Sequence, residues 1–215
     1  MQSRPAEVSQ HEGASGPPPD DDMHRARVYS LMAALLAAPP HAELLNRLRQ
    51  IGDAVSDETG SSPDTPLARG WQALKAAATE SNDVALDDEF HELFIGIGRG
   101  ELMPYASWYL TGFLMERPLA ALRQDLKTLG FERQPGVGEP EDHAAALCEI
   151  MSMIIASVQG PDIDLQRIFF GEYMAWLAQF FIDMQKAEAA RFYRAVGQFG
   201  EQFMTLEKEY LAMTI

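Results

Sequence analysis

From Val28 to Tyr210 the apolar residues of this chain recur every three or four positions, and no stretch alternates with a period of two. That spacing lines residues up along one side of an α-helix but scatters them over both faces of a strand, so it admits helices and excludes a sheet. Val28, Leu31, Met32, Leu35 and Leu36 share one face, and Pro39-Pro40 ends their helix. Leu44, Leu45, Leu48 and Ile51 mark a second helix, ending near Gly52, and Leu67, Trp71, Leu74 and Ala78 a third. Leu86, Phe90, Leu93 and Phe94 mark a fourth, closed by Gly96, with Phe90, Leu93 and Phe94 facing inward by period. After an irregular stretch at 96–107, a short helix is predicted over Trp108 to Met115. Another is predicted over Pro118 to Leu129, with Leu119, Leu122, Leu126 and Leu129 inward and Gly130 as its C-cap. Beyond residue 140 three apolar stripes follow: Leu147 to Ile155, Leu165 to Met184, and Phe192 to Tyr210.

The expectation is an all-α helical bundle of about eight to ten helices. Residues 1–22 carry Pro17-Pro18-Pro19 and almost nothing to bury, so they read as a disordered tail. Asp20, Asp21 and Asp22 suit the start of the helix that follows, by capping and by the helix dipole. Residues 56–65 form a Ser/Asp/Gly/Pro loop, and the Pro- and Gly-bearing stretch 131–139 reads as a hinge. That hinge divides a larger N-terminal helical part, 23–130, from a C-terminal three-helix part, 140–215. No internal repeat is visible.

Charge and motifs narrow the function. With 32 acidic against 17 basic residues the formal net charge is −15, and no Lys/Arg-rich run occurs. Such a chain repels phosphate backbones, which argues against nucleic-acid binding. The acidic surface suits a basic partner, or solubility alone. One cysteine, Cys148, permits no internal disulfide and fits a reducing compartment, where a buried structural thiol is the expectation. The N-terminus lacks an apolar signal core, and no apolar run is long enough to span a bilayer, so the expected location is cytoplasmic.

Enzyme signatures fail one by one. His91-Glu92 would need a second histidine where Ile95 stands to make a zinc-protease helix. Histidines 11, 24, 41, 91 and 143 have no ligand spacing with one another or with Cys148, so no metal is expected. Gly96-Ile97-Gly98-Arg99-Gly100 is followed by Glu101, which repels phosphate where a nucleotide loop needs glycine. Asp142 and His143, adjacent on a helix, would point about 100° apart and make a poor acid–base dyad. Ser107 sits in no strand-to-helix elbow. A non-enzymatic protein without a cofactor is the reading these failures leave.

Two stretches are more specific than a generic bundle. One is Glu89-Phe90-His91-Glu92-Leu93-Phe94-Ile95-Gly96, followed by Pro104-Tyr105-Ala106-Ser107-Trp108-Tyr109. The other is Glu139-Pro140-Glu141-Asp142-His143, followed by Leu147, Glu149 and Met151. In this order they closely resemble the TorD/DmsD/NarJ-like family of redox-enzyme maturation chaperones, over roughly residues 25–205. The resemblance implies an all-helical, cytoplasmic, non-enzymatic chaperone. Its partner would be the apo catalytic subunit of a molybdenum or tungsten oxidoreductase, often through that subunit's twin-arginine leader, held until the cofactor is inserted. It also implies a homodimer by lobe swapping in some members. A general helical scaffold or assembly adaptor without leader binding is the alternative.

A twin-arginine leader has a basic front and an apolar middle, so its binder needs an apolar groove with an acidic rim. Tyr105, Ser107, Trp108 and Tyr109, within the aromatic and Met-containing stretch 104–115, can supply the first. Glu139, Glu141, Asp142 and Glu149 can supply the second, with Asp142 and His143 carried over from the family's Asp-His. Each has a plainer role: core packing for Trp108, Tyr109 and Phe113, helix-start electrostatics for Glu139, Glu141 and Asp142, and an interface histidine at His143.

Overall fold

The computed structural model describes residues 20–50, 64–97, 99–133, 136, 138–157 and 162–213. The tail before Asp20, the expected helix end at Ile51 and Gly52, and most of the 56–65 loop lie outside them. Among the described residues there are ten α-helices and no strand. They are α1 (Asp20–Ala37), α2 (Ala42–Gln50), α3 (Pro66–Glu80), α4 (Asp83–Phe90), α5 (Ala106–Thr111) and α6 (Arg117–Thr128). After residue 139 come α7 (Ala144–Ile155), α8 (Ile163–Phe169), α9 (Leu177–Lys186) and α10 (Phe192–Met213). Two single π turns, His91–Ile95 and Phe170–Met174, extend α4 and α8. The second lets α8 run almost directly into α9, which is why the stripe from Leu165 to Met184 reads as one helix in the sequence.

One core runs through both sides of the hinge. α1 lies along α7, while α10 packs between α9 and α3. Tyr29, Met32, Leu35 and Leu36 of α1 and Leu147, Cys148, Met151 and Ile155 of α7 are all fully or almost fully buried. Tyr29 meets Phe203 of α10 edge to face at 4.9 Å, and Trp71 of α3 meets Phe199 at 5.4 Å. Gly70 makes that last approach possible: a Cβ there would stand 3.0 Å from the Phe199 Cα. The helices before residue 131 and those after residue 139 therefore share one core.

Two carboxylates hold the ends of the long C-terminal helix. Glu89, buried at the end of α4, accepts hydrogen bonds from the backbone N–H groups of Arg191, Phe192 and Tyr193, which form the start of α10. These are donors a helix cannot satisfy by itself, and a carboxylate also suits the positive end of the helix dipole. At the other end Glu207 takes a two-pronged contact from the Arg25 guanidinium, at 2.7 and 2.8 Å, while Asp22 accepts a third N–H from the same group. Asp22 is thus part of α1, which starts at Asp20, and is buried.

Other boundaries also differ. The short helix expected over Trp108 to Met115 starts at Ala106 and stops at Thr111, because Gly112 takes a left-handed φ of 80°. Leu129 sits beyond the last turn of α6 and is exposed, not inward, as the chain turns away at Gly130 with φ 79°. Phe90 and Leu93 are buried and Phe94 packs against the core, as the period requires.

Removing the Glu89 carboxylate leaves three amides without an acceptor. Glu89→Ala is expected to lower stability by about 2 kcal/mol or more, and Glu89→Gln by less, measured by urea unfolding. Equal stability of all three proteins would show that water satisfies those amides.

Candidate functional site

The two motifs are laced together. Pro104–Ala106 runs antiparallel to Asp142–Ala144: the Ala106 N–H donates to the Asp142 carbonyl at 2.9 Å, and the Ala144 N–H donates to the Pro104 carbonyl at 2.8 Å. This is a bridge between Tyr105 and His143, and their rings also meet edge to face at 5.1 Å. Neighbouring side chains then divide the work. His143 caps its own helix, Nδ1 accepting from the Ala145 N–H at 3.1 Å. Asp142 reaches back instead and accepts from the Ser107 N–H at 2.9 Å, so it serves the N-terminus of α5. α7 starts after all three acids and has none in its first turn, so the expected helix-start role for Glu139, Glu141 and Asp142 is not what the structure shows.

Beside this joint lies a groove. On one side is a cleft of about 270 Å³ floored by Leu126 and Phe131 and by Ile150 and Met153 of α7. On the other is a cleft of about 450 Å³ between α1 and α7, walled by Ser30, Ala33, Ala34 and Ala37 and backed by His143 and Ala145. Glu139, Ala146 and Glu149 line both, so the two clefts meet there. The floor is mostly apolar and the junction is acidic.

The carboxylates at the junction are not equivalent. Glu139 accepts from the Tyr105 hydroxyl and, through its backbone carbonyl, from Arg133 at 2.7 Å. Glu141 is paired with the Arg123 guanidinium at 2.8 Å. Burial pushes the Glu141 carboxyl up, but its own backbone N–H and Arg123 pull harder, leaving it below the ordinary carboxylate range. Glu149 is exposed and has no ion pair among the described residues. Burial raises the Tyr105 hydroxyl pKa, and Glu139 raises it further, so that hydroxyl stays a donor.

Not every expected residue faces this groove. Tyr105, Glu139, Glu141 and His143 are at or behind its wall. Ser107 is fully buried in the joint, and Asp142 is almost so. Trp108 is half-buried under the Arg99 guanidinium, 4.2 Å from its ring. Tyr109 turns toward α9, its ring 4.9 Å from Trp176 and its hydroxyl donating to Asp183 at 3.2 Å. The alanine wall of α1 lies outside both motifs. Its signal was present: Ser30, Ala33, Ala34 and Ala37 are small residues at helical spacing, offset from the large stripe of Met32, Leu35 and Leu36.

No catalytic constellation forms here. Among the described residues no group of three metal-binding side chains comes together. Asp142 and His143 point their side chains to different helices. The Cys148 thiol is pushed up to about 12 by complete burial. No described helix is long and apolar enough to cross a membrane.

His143 adds a pH dependence. Burial lowers its pKa below the usual histidine value against the pull of Glu139 and Asp142, and its Nδ1 must be unprotonated to accept from Ala145. The unfolded chain therefore binds the extra proton first, and stability falls as pH drops through about 6.5. His143→Asn keeps a capping side chain without the titration. Compared above and below that pH by urea unfolding, the variant is expected to lose less stability on acidification than the parent.

The profile of the nitrate reductase delta subunit family matches residues 61–182, more than half of the chain. The chain is 26% identical over 200 residues to the chaperone protein TorD of Shewanella loihica, covering 87% of this chain and 92% of that one. It is 22% identical to the chaperone protein TorD of Vibrio atlanticus, covering 87% and 94%. A crystal structure from Archaeoglobus fulgidus, described as that of a candidate redox enzyme maturation protein, shares the fold with a TM-score of 0.57 at 15% identity, over 94% of this chain and 99% of that one. These findings agree with the all-α bundle and with the non-enzymatic reading. The chain belongs to the nitrate reductase delta subunit family, that is, to the TorD/DmsD/NarJ-like maturation chaperones its two motifs resemble.

Proposed function

We propose that this chain holds the apo catalytic subunit of a molybdenum or tungsten oxidoreductase in the cytoplasm, before cofactor insertion and assembly or export. In this reading the subunit's twin-arginine leader lies in the groove across α7. The observation that carries it is the junction at Glu139, Ala146 and Glu149, where an apolar floor continues on both sides of two exposed carboxylates. An arginine pair would meet Glu149, which is unpaired among the described residues, and Glu139, one oxygen of which is taken by Tyr105. The apolar middle of the leader would follow the alanine wall of α1, where small side chains leave width for a helix or an extended strand.

Guanidinium–carboxylate contacts at a half-exposed rim weaken with salt, so affinity should fall as ionic strength rises. A labelled twin-arginine leader titrated by fluorescence anisotropy is expected to bind about tenfold or more weakly to Glu139→Lys/Glu149→Lys than to the parent. A leader with both arginines replaced by glutamine should lose affinity for the parent to a similar degree. Equal binding of both leaders would remove the acidic junction from the recognition site, and no binding of either would remove leader recognition altogether.

A further inference from the structure

One donor at the start of α7 has nothing to hold. His143 is 7% exposed, and its Nδ1 accepts from the Ala145 N–H, so that nitrogen carries no proton. In a neutral imidazole the proton then sits on Nε2, which becomes a donor. Burial favours the neutral ring. Nε2 makes no hydrogen bond among the described residues, and His143 backs the cleft between α1 and α7. A buried donor left without an acceptor costs free energy, so this one is set for a guest in that cleft.

The far end of the same cleft carries the complement. Ser152 of α7 donates its one hydroxyl proton to the Ala26 carbonyl at 2.9 Å. The proton in its 2.8 Å contact with Ser30 must therefore come from Ser30. Ser30, exposed on the α1 wall, keeps a lone pair free to accept. Ser152 lies nine residues beyond His143, about 13 Å along the helix. Between these two polar groups the α1 wall is Ala33, Ala34 and Ala37, which present methyl groups alone. A guest helix answers neither group in mid-course, because its N–H and C=O groups are bonded to one another. Nor does a guest end here, since the cleft runs on into its neighbour at Ala146. An extended chain covers about 13 Å in four residues and turns unpaired N–H and C=O groups to both sides.

We propose that the α1–α7 cleft reads peptide backbone: it holds about four extended residues of the guest, one carbonyl accepting from His143 Nε2–H and one N–H donating to Ser30 Oγ. This rests on the leader-binding reading above and decides between the helix and the strand that the alanine wall admits. The groove then divides its work. The carboxylates of Glu139 and Glu149 recognise charge, and the alanine-walled half recognises main chain. Side-chain identity matters little in that half, so leaders of different sequence are held alike, whereas a residue lacking its N–H is refused opposite Ser30.

A twin-arginine leader labelled with carbon-13 at its Cα positions tests the conformation. Bound to the parent, the residues in the cleft are expected to show Cα shifts upfield of random coil, as extended backbone does. Downfield shifts, the mark of a helix, would overturn the proposal and leave leader binding standing. Ester bonds placed one at a time in the leader remove a peptide N–H and weaken the carbonyl beside it. One position is expected to weaken binding about three- to tenfold through Ser30 and another through His143, while alanine at the same residues costs less. On the protein side, His143→Ser keeps a capping oxygen and withdraws the donor, and Ser30→Ala withdraws the acceptor without disturbing the bond from Ser152 to Ala26. With circular dichroism unchanged, each variant should erase the effect of one ester position and leave the other. An ester scan without a sensitive position, or ester effects that survive in both variants, would overturn the proposal. A leader that does not bind the parent at all would overturn it together with the reading it rests on.

Discussion

A single carboxylate ties the first motif to the last helix. Glu89 ends α4 and receives the first free amides of α10, so the longest helix among the described residues starts where α4 stops. Everything that α10 supports inherits that placement. Phe199 and Phe203 reach Trp71 and Tyr29, and Glu207 reaches Arg25. A side chain that accepts three N–H donors is hard to replace, because each amide left over in a buried place costs as much as a lost hydrogen bond. Glu101 repeats the device one turn away, accepting from the amides of Glu188 and Ala189 just before α10. The motif that marks the family in sequence is therefore a clamp on the C-terminal helix as much as a run of core aromatics.

The same logic organises the groove. Pro104–Ala106 and Asp142–Ala144 are far apart in sequence and share only a single bridge of two hydrogen bonds, too short to hold by its backbone bonds alone. Asp142 and His143 reinforce it from opposite directions, one capping α5 and the other α7, so the start of each helix fixes the other. The groove wall stands on that joint. This explains how an acidic, loop-bearing segment can present Glu139 and Glu149 at one place over an apolar floor without being part of a regular helix–helix seam.

The helices were legible because burial follows a period, and residues such as Met32, Leu74, Leu147 and Phe180 are buried where the period places them. The joint was legible only as a resemblance. Nothing local says that Asp142 will cap a helix that begins 36 residues earlier, since the same acid could equally have opened its own. Trp108 and Tyr109 illustrate the converse: aromatic type marks them as contact residues, but their surroundings commit Tyr109 to α9 and Trp108 to Arg99. No motif in the sequence marks the alanines of α1, because small residues carry no chemistry of their own and matter only for the width they leave. The single core across the hinge was hidden for a related reason. A Pro- and Gly-bearing break shows where the chain turns, not which side of it the flanking helices pack on.

That continuous core has a consequence for how the protein comes into being. α1 is synthesised before α7 and α10, yet its broad apolar face is covered by α7 and its buried guanidinium is paired with Glu207, 182 residues further on. Contacts of such long range close late, and until they do α1 leaves its apolar face uncovered and Arg25 with Asp22 alone as its partner. The core on which the groove stands is therefore complete only once α10 has packed back against α1.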